Sequence, residues 1–138
     1  WLDIKDPNTV NEVIRVQKNA IDYAIIQNPN RKLLILLGVP NQDILDAYNT
    51  SPLANTTPIL IEYDINKVLT NTNCQVWAPR WTNGIPSTDI ALVHNHKKLV
   101  FTWTLDFTEY ISDYLNSEQF DGILSNYPSL VAGMHYSR

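Results

Sequence analysis

Six short, mostly apolar segments, each followed by a helical or loop stretch, are the feature that most constrains the fold of this chain. Most of them are continuous rather than alternating, which is typical of strands buried on both faces, as in parallel sheets. Their alternation with helical segments predicts an α/β domain with a parallel sheet. The segments are Leu2–Lys5, Leu33–Leu37, Pro58–Tyr63, Cys74–Ala78, Leu99–Thr104 and Gly122–Ser125.

The stretches between these strands carry helical signals. Thr9 and Glu12 have the spacing of a capping box before the first helix, and apolar residues recur at helical spacing over residues 41–48, 86–94 and 108–115. Six such units in 138 residues are too many for a small open sandwich with long helices. A (β/α)₈ TIM barrel needs about 250 residues. We therefore expect residues 1–138 to form the later half, or a little more, of such a barrel.

Composition limits the classes of partner. The net charge is −4 and no basic patch is present, which argues against nucleic acid, because phosphate-backbone binding needs clustered Lys and Arg. No apolar run approaches the roughly 18 residues of a membrane span, so no transmembrane segment is predicted. Cys74 is the single cysteine and is expected to be a buried, inert thiol. A small anionic substrate held by a metal stays open.

The opening segment WLDIKDP carries the strongest chemical signal. Asp3 and Lys5 are two residues apart, so both point to the same side of a strand. A carboxylate and an ammonium facing one buried side are costly unless they are paired or bind something. Asp3 could ligate a hard divalent cation while Lys5 balances the charge of a substrate phosphate. The alternative is a structural ion pair at the end of the strand.

Other candidates stand at the ends of later predicted strands. Trp103 could wall a substrate pocket or belong to the core, and Arg80 could bind phosphate or be a solvated loop residue. Glu62 could line the same face. Ser125 and Asn126, in a turn, could donate hydrogen bonds to a ligand.

Some residues are given structural roles. Asp106 could cap the following helix. His94, His96 and His135 are not expected to be catalytic, because no nucleophile motif accompanies them. The chain has no Walker A loop, no G-x-G-x-x-G and no Cys/His zinc pattern.

Three segments, WLDIKDP, VFTWTLD and FDGILSNYP, together resemble the glycerophosphodiester phosphodiesterase family in order and approximate spacing. The resemblance covers nearly the whole chain but only the later part of that family's domain. It implies that Asp3 matches an acidic metal ligand, with Asp in place of the usual Glu, and that Lys5 matches a substrate-side lysine. It places Trp103 at the substrate pocket. Ser125 and Asn126 stand where the family usually has Thr and Asp.

The resemblance also sets expectations for activity. It implies a Ca²⁺- or Mg²⁺-dependent enzyme that cleaves glycerophosphodiester or lysophospholipid substrates, giving sn-glycerol 3-phosphate and an alcohol from the former. The family's two catalytic histidines and its Glu-x-Asp metal pair have no match here. Because the chain opens at Trp1 inside a predicted strand, we expect the N-terminal half of the barrel to be missing and this chain alone to be inactive.

Two other readings stay open. One is a noncatalytic barrel that binds a phosphorylated ligand or a protein partner, which the Asp3 replacement keeps in play. The other is an unrelated α/β module that is complete in itself. By resemblance, and with a composition rich in Asn and poor in Cys, an extracytoplasmic location, periplasmic or secreted, is expected.

Overall fold

The computed structural model describes residues 1–138 and contains one six-stranded sheet. Every strand pairs in parallel with the next one along the chain, so the spatial order of the strands is their sequence order. This confirms the predicted parallel α/β sheet. The strands are β1 Leu2–Asp3, β2 Leu37–Val39, β3 Ile59–Ile61, β4 Cys74–Trp77, β5 Leu99–Thr102 and β6 Gly122–Ile123.

A helix follows each strand, as expected for parallel pairing, in which the chain must cross back over the sheet. No helix is long and apolar enough to cross a membrane. Short 3₁₀ turns lie at Pro7–Thr9, Ala54–Thr56 and Trp81–Asn83. The α-helices are α1 Val10–Gln27, α2 Gln42–Thr50, α3 Ile65–Thr70, α4 Ser87–Asn95, α5 Thr108–Ser117 and α6 Pro128–Tyr136.

The predicted capping box before α1 is wrong. A 3₁₀ turn precedes the helix, so Thr9 already has near-helical backbone angles and its hydroxyl donates to the carbonyl of Asp6 at 2.7 Å. Glu12 instead pairs with Arg15. The side chain that accepts an orphan amide is one turn earlier, where Asp6 accepts from the N–H of Asn8 at 2.9 Å.

The outer face of the sheet, toward the helices, holds the main core. This outer core contains 17 buried residues, among them Val39 and Ile61 on adjacent strands and Ile14 on α1. One polar group within it is satisfied locally. The hydroxyl of Tyr48 lies 2.6 Å from the carbonyl oxygens of both Ala54 and Thr57 and donates between them.

The inner face of the sheet is less filled than the outer face. Its buried cluster has only four residues, Leu36, Leu60, Val76 and Ala78, with Trp1, Phe101 and Trp103 partly buried against it. Gly38 lets Trp1 pack on this face, because a Cβ at that position would lie 2.5 Å from Nε1 of Trp1 and would displace the ring. This face corresponds to the interior of a barrel, in which side chains from successive strands fill the space.

Strand β2 lies later than predicted. The apolar pattern indicated residues 33–37, whereas pairing begins at Leu37, opposite Leu2 and Ile59. The carbonyl of Leu36 accepts from the N–H of Leu2 at 2.8 Å, just before the strand begins. The carbonyl of Ile35 accepts from the side-chain amide of Gln17 on α1 instead of from a neighbouring strand. The sheet is open, since β1 and β6 are each paired on one side only.

Candidate functional site

Asp3 and Lys5 form an ion pair at the carboxyl end of β1. The distance between Lys5 Nζ and Asp3 Oδ2 is 2.6 Å, and the two side chains are 76% and 48% exposed. The hydrogen bond that Lys5 donates to Asp3 raises the pKa of Lys5, as do the charges of Asp3 and Glu62, although desolvation opposes this. The ammonium is therefore charged and faces solvent, where an anion can reach it.

Glu62 adds a second carboxylate to the charged cluster of Asp3 and Lys5. It follows β3, two residues after the inward-facing Leu60, so both side chains lie on the inner face. Burial, together with the nearby charge of Asp3, raises the pKa of Glu62 to about 7, while Lys5 and Arg80 act in the opposite direction. No ion pair holds the Glu62 carboxylate.

Arg80 and Trp103 face each other where β4 and β5 end. An isolated parallel bridge joins the two residues, and the guanidinium carbon of Arg80 lies 4.8 Å from the centroid of the Trp103 ring. The indole N–H of Trp103 donates to the carbonyl of Ala78 at 2.7 Å, which fixes the plane of the ring. A cation over an aromatic face is a favourable arrangement. Trp103 therefore holds Arg80 in place while leaving the guanidinium N–H groups available.

Asn126 lies apart from these residues, at the carboxyl end of β6. Its backbone N–H and side-chain amide donate to Asp106 at 2.8 and 2.7 Å, and the hydroxyl of Ser125 donates to the same carboxylate at 2.9 Å. These donors, chiefly the Asn126 backbone N–H, lower the pKa of Asp106. Ser125 and Asn126 thus bind Asp106 in this structure rather than facing free space.

Asp106 does not cap α5, so that prediction is wrong. The residue at the N-cap position is Phe107, and no side chain caps the helix. The carboxylate turns instead toward the turn after β6, because parallel pairing of β5 and β6 brings the two strand ends together. Its three donors tie the last two strand-end loops to each other.

The histidines lie away from the charged cluster. His94 Nε2 is 2.9 Å from Asp121 Oδ2, at the opposite end of the sheet, and His96 contacts the carbonyl of Leu92. His135 is on α6 beside Tyr136. Cys74 is buried as predicted, and burial raises the pKa of its thiol to about 11.

No group of three or more His, Cys, Asp or Glu side chains converges in the structure. A cleft of about 530 Å³ lies away from the charged cluster, along β6 and between α5 and α6. Tyr114, Ile123, Val131 and Tyr136 are among its lining residues. Strand β6 is an open edge of the sheet, so the cleft borders unpaired backbone groups. It does not coincide with the charged cluster.

The structure brings together four of the five predicted site residues. Asp3, Lys5, Arg80 and Trp103 lie at the carboxyl ends of β1, β4 and β5, and Glu62 joins them from β3. Asn126 is placed on the same rim, but its contacts are to Asp106. From the sequence, Glu62 is predicted only to line this face. The feature of the sequence that indicates its position is the two-residue spacing from Leu60.

Comparisons with known proteins bear on the fold. No family model matches the chain, and no curated protein sequence matches it. Among solved structures, it is similar to one described as a "Putative glycerophosphoryl diester phosphodiesterase" from Silicibacter pomeroyi DSS-3, with a TM-score of 0.70 and 17% sequence identity. The match covers 99% of this chain and 50% of that one, so the chain spans half the length of the structure that it resembles.

Fold and comparison together define the class of architecture. Six parallel strands in sequence order, each followed by a helix, form the later half of a (β/α)₈ TIM-type barrel. In barrels of this type the carboxyl ends of the strands carry the active site. The fold resembles that of a glycerophosphodiester phosphodiesterase, and at this identity the resemblance extends to the fold alone.

Proposed function

We propose that residues 1–138 form the later part of the barrel of a metal-dependent phosphodiester hydrolase, which cleaves glycerophosphodiesters to sn-glycerol 3-phosphate and an alcohol. One observation carries the proposal. The Asp3–Lys5 pair is far in the sequence from Arg80 and Trp103, yet all four residues meet at one end of the sheet. That is the end at which TIM-barrel enzymes bind their substrates. The shared fold of the solved neighbour adds support.

The two cations suit a phosphodiester. Arg80 presents a planar fork of N–H groups that can bind two phosphate oxygens at once, and its position is fixed by the ring of Trp103. Lys5 supplies a second, point-like positive charge on the same face. Together they would orient the phosphate and stabilise the negative charge that builds up on it in the transition state.

The carboxylates of this cluster are the type of ligand that a hard cation prefers. Calcium and magnesium prefer oxygen ligands, and Asp3 and Glu62 provide two carboxylates close enough for the charge of one to raise the pKa of the other. Such a pair gains from a positive charge between its members. Two carboxylates do not fill the six or so positions of either ion, so water and other groups would supply the rest. When bound, the cation would neutralise phosphate charge.

We further propose that the remaining strands, and the groups that transfer protons, come from polypeptide outside these 138 residues. The match to half of the solved neighbour supports this proposal. So do the open edges of β1 and β6 and the cleft beside β6. Further β/α units packed there would pair both edges and would fill the cleft. Unpaired edges otherwise invite association with other chains.

The first test is ligand binding. Titration of the protein with sn-glycerol 3-phosphate, followed by NMR with and without added MgCl₂, should give shifts at the ends of β1, β4 and β5. Arg80→Gln should weaken binding by about tenfold or more, because a charged hydrogen bond is lost. The matched control is Arg31→Gln, an exposed arginine between α1 and β2, which should bind as the unmodified protein does. Equal affinities for all three proteins would overturn the proposal.

A second candidate function is a noncatalytic barrel that binds a phosphorylated ligand. One observation favours it, namely that His94, His96 and His135 all lie away from the cations. The two candidates differ in turnover. The full-length gene product, incubated with a glycerophosphodiester and Mg²⁺ or Ca²⁺, releases sn-glycerol 3-phosphate under the first proposal and only binds phosphorylated ligands under the second.

A further inference from the structure

Aromatic side chains follow the carboxyl end of each of the last four strands, the end of the sheet that carries Arg80. Tyr63 follows β3 and is 39% exposed, Phe107 and Tyr110 follow β5 and are 55% and 42% exposed, and Tyr127 follows β6 and is 59% exposed. Trp81 follows β4 and is partly buried. We call these five residues the aromatic rim. The proposed function uses none of them.

Three members of the rim pack against one another with tilted or edge-on rings. The ring centroids of Trp81 and Tyr110 are 4.9 Å apart, those of Trp81 and Phe107 are 5.9 Å apart, and those of Phe107 and Tyr110 are 6.3 Å apart. Trp81 also packs on the small core of Leu105 and Ile111. The rings of Phe107 and Tyr110 therefore pack on Trp81, which itself packs on a buried core, so their positions are fixed.

The loop that carries Trp81 is held by α5. The hydroxyl of Tyr114 lies 2.5 Å from the carbonyl oxygen of Trp81 and 2.9 Å from that of Gly84, and it donates to them. At Gly84 the backbone has φ of 74°, a conformation that glycine adopts readily. The Trp81 loop is thereby fixed against the start of α5, where Phe107 and Tyr110 stand.

The chemistry of the rim fits a lipid–water interface. Tyrosine and tryptophan combine an apolar ring with a polar tip, and they are enriched where proteins meet the headgroup region of a membrane. Arg80 precedes Trp81 directly, so a cation borders the patch, and its complement is the phosphate of a lipid headgroup.

We propose that the aromatic rim docks the protein onto a phospholipid surface, which presents lipid phosphodiesters directly to Lys5 and Arg80. This proposal rests on the proposed function and narrows its substrates to lipids held in a bilayer. The rings would enter the headgroup region, where burial of their exposed apolar area drives binding.

The test is sedimentation of the protein with vesicles of phosphatidylcholine and phosphatidylglycerol. The double variant Phe107→Ser/Tyr110→Ser should lower vesicle partitioning by at least about tenfold, since two exposed aromatic rings are removed. The matched control is Tyr23→Ser/Ile26→Ser on α1, which removes side chains that are 64% and 75% exposed outside the rim. The control should partition as the unmodified protein does. Circular dichroism establishes that both variants are folded.

The outcomes separate this inference from the proposed function. Vesicle binding that the rim variant loses and the control keeps supports the docking surface, even if sn-glycerol 3-phosphate fails to bind. A protein that binds sn-glycerol 3-phosphate but no vesicles overturns the docking surface and leaves the proposed function standing. Equal partitioning of both double variants also overturns it, as does a protein partner whose binding requires Phe107 and Tyr110 while vesicles are ignored.

Discussion

The two faces of the sheet differ in how they are filled. On the outer face, helices cover 17 buried residues in one continuous core, whereas the inner face buries only four. Lys5 and Asp3 at its upper edge stay 76% and 48% exposed. The comparison teaches that stability resides on the outer face, and that the inner face keeps charged groups that folding alone does not require. Mutations on the two faces should therefore separate stability from binding.

The largest effect is expected from the outer face. Ile61 is fully buried, and Ile61→Ala should lower the free energy of unfolding by about 3 kcal/mol, through lost burial and the cavity left behind. Urea denaturation measures this change. The control is Ile26→Ala, at a side chain that is 75% exposed and should change little. A loss at Ile61 no greater than that of the control would show that the outer face is not a packed core.

A smaller loss is expected for a polar contact in the same core. Tyr48→Phe keeps the ring but removes the hydroxyl that serves the carbonyls of Ala54 and Thr57. The carbonyl of Ala54 would keep the backbone N–H of Thr57, but the carbonyl of Thr57 would lose the hydroxyl, so the free energy of unfolding should fall by about 1–2 kcal/mol. Tyr136→Phe, at a side chain that is 85% exposed, is the control for thermal melting. Equal melting temperatures would mean that water replaces the lost donor.

Glu62 on the inner face should make the free energy of unfolding depend on pH. The pKa of Glu62 in the folded protein is about 7, above its ordinary value of 4.5, so the folded state holds this proton more tightly than the unfolded state. Stability should therefore fall as pH rises from about 4.5 to 7, by roughly 1–2 kcal/mol after allowance for solvent screening. Glu62→Gln should remove this slope in melts recorded with a chelator. A slope that persists in the variant would assign it to another group.

The smallest effect on stability is expected at Lys5. The Lys5–Asp3 pair is largely exposed, so Lys5→Gln should change the free energy of unfolding by no more than about 0.5 kcal/mol. The same variant should bind sn-glycerol 3-phosphate more weakly. Calorimetry and ligand titration on one preparation test both statements. A large loss of stability would mean that Lys5 serves the fold instead of the ligand.

Much of the fold could be predicted because its signals are local. Continuous apolar runs marked the strands, and the spacing of Asp3 and Lys5 placed both at one strand end. The resemblance to a barrel family then predicted that Trp103 would lie on the same rim. The strand ends were less accurate, because pairing depends on where the neighbouring strand offers backbone groups, as at Leu37 opposite Leu2.

What could not be predicted depends on contacts between distant segments. The carboxylate of Asp106 accepts hydrogen bonds from Ser125 and Asn126, which lie nearly 20 residues later in the chain. Only the pairing of β5 with β6 brings these residues together. The predicted capping box before α1 was wrong for a local reason, because a 3₁₀ turn precedes the helix in its place. The aromatic rim was missed because its members are scattered single residues with no pattern along the chain.

The strictly sequential strand order has a consequence for how the chain acquires its structure. The widest strand pairing joins Leu2 to Leu37, and the narrowest joins Ile59 to Cys74, so every closure spans one strand–helix unit. Because the entropy cost of closure grows with loop length, pairing each strand with the next one along the chain costs less than pairing it with a distant one. During synthesis, each new unit can therefore add to the edge left by the one before, and the growing sheet never has to wait for a distant segment to emerge.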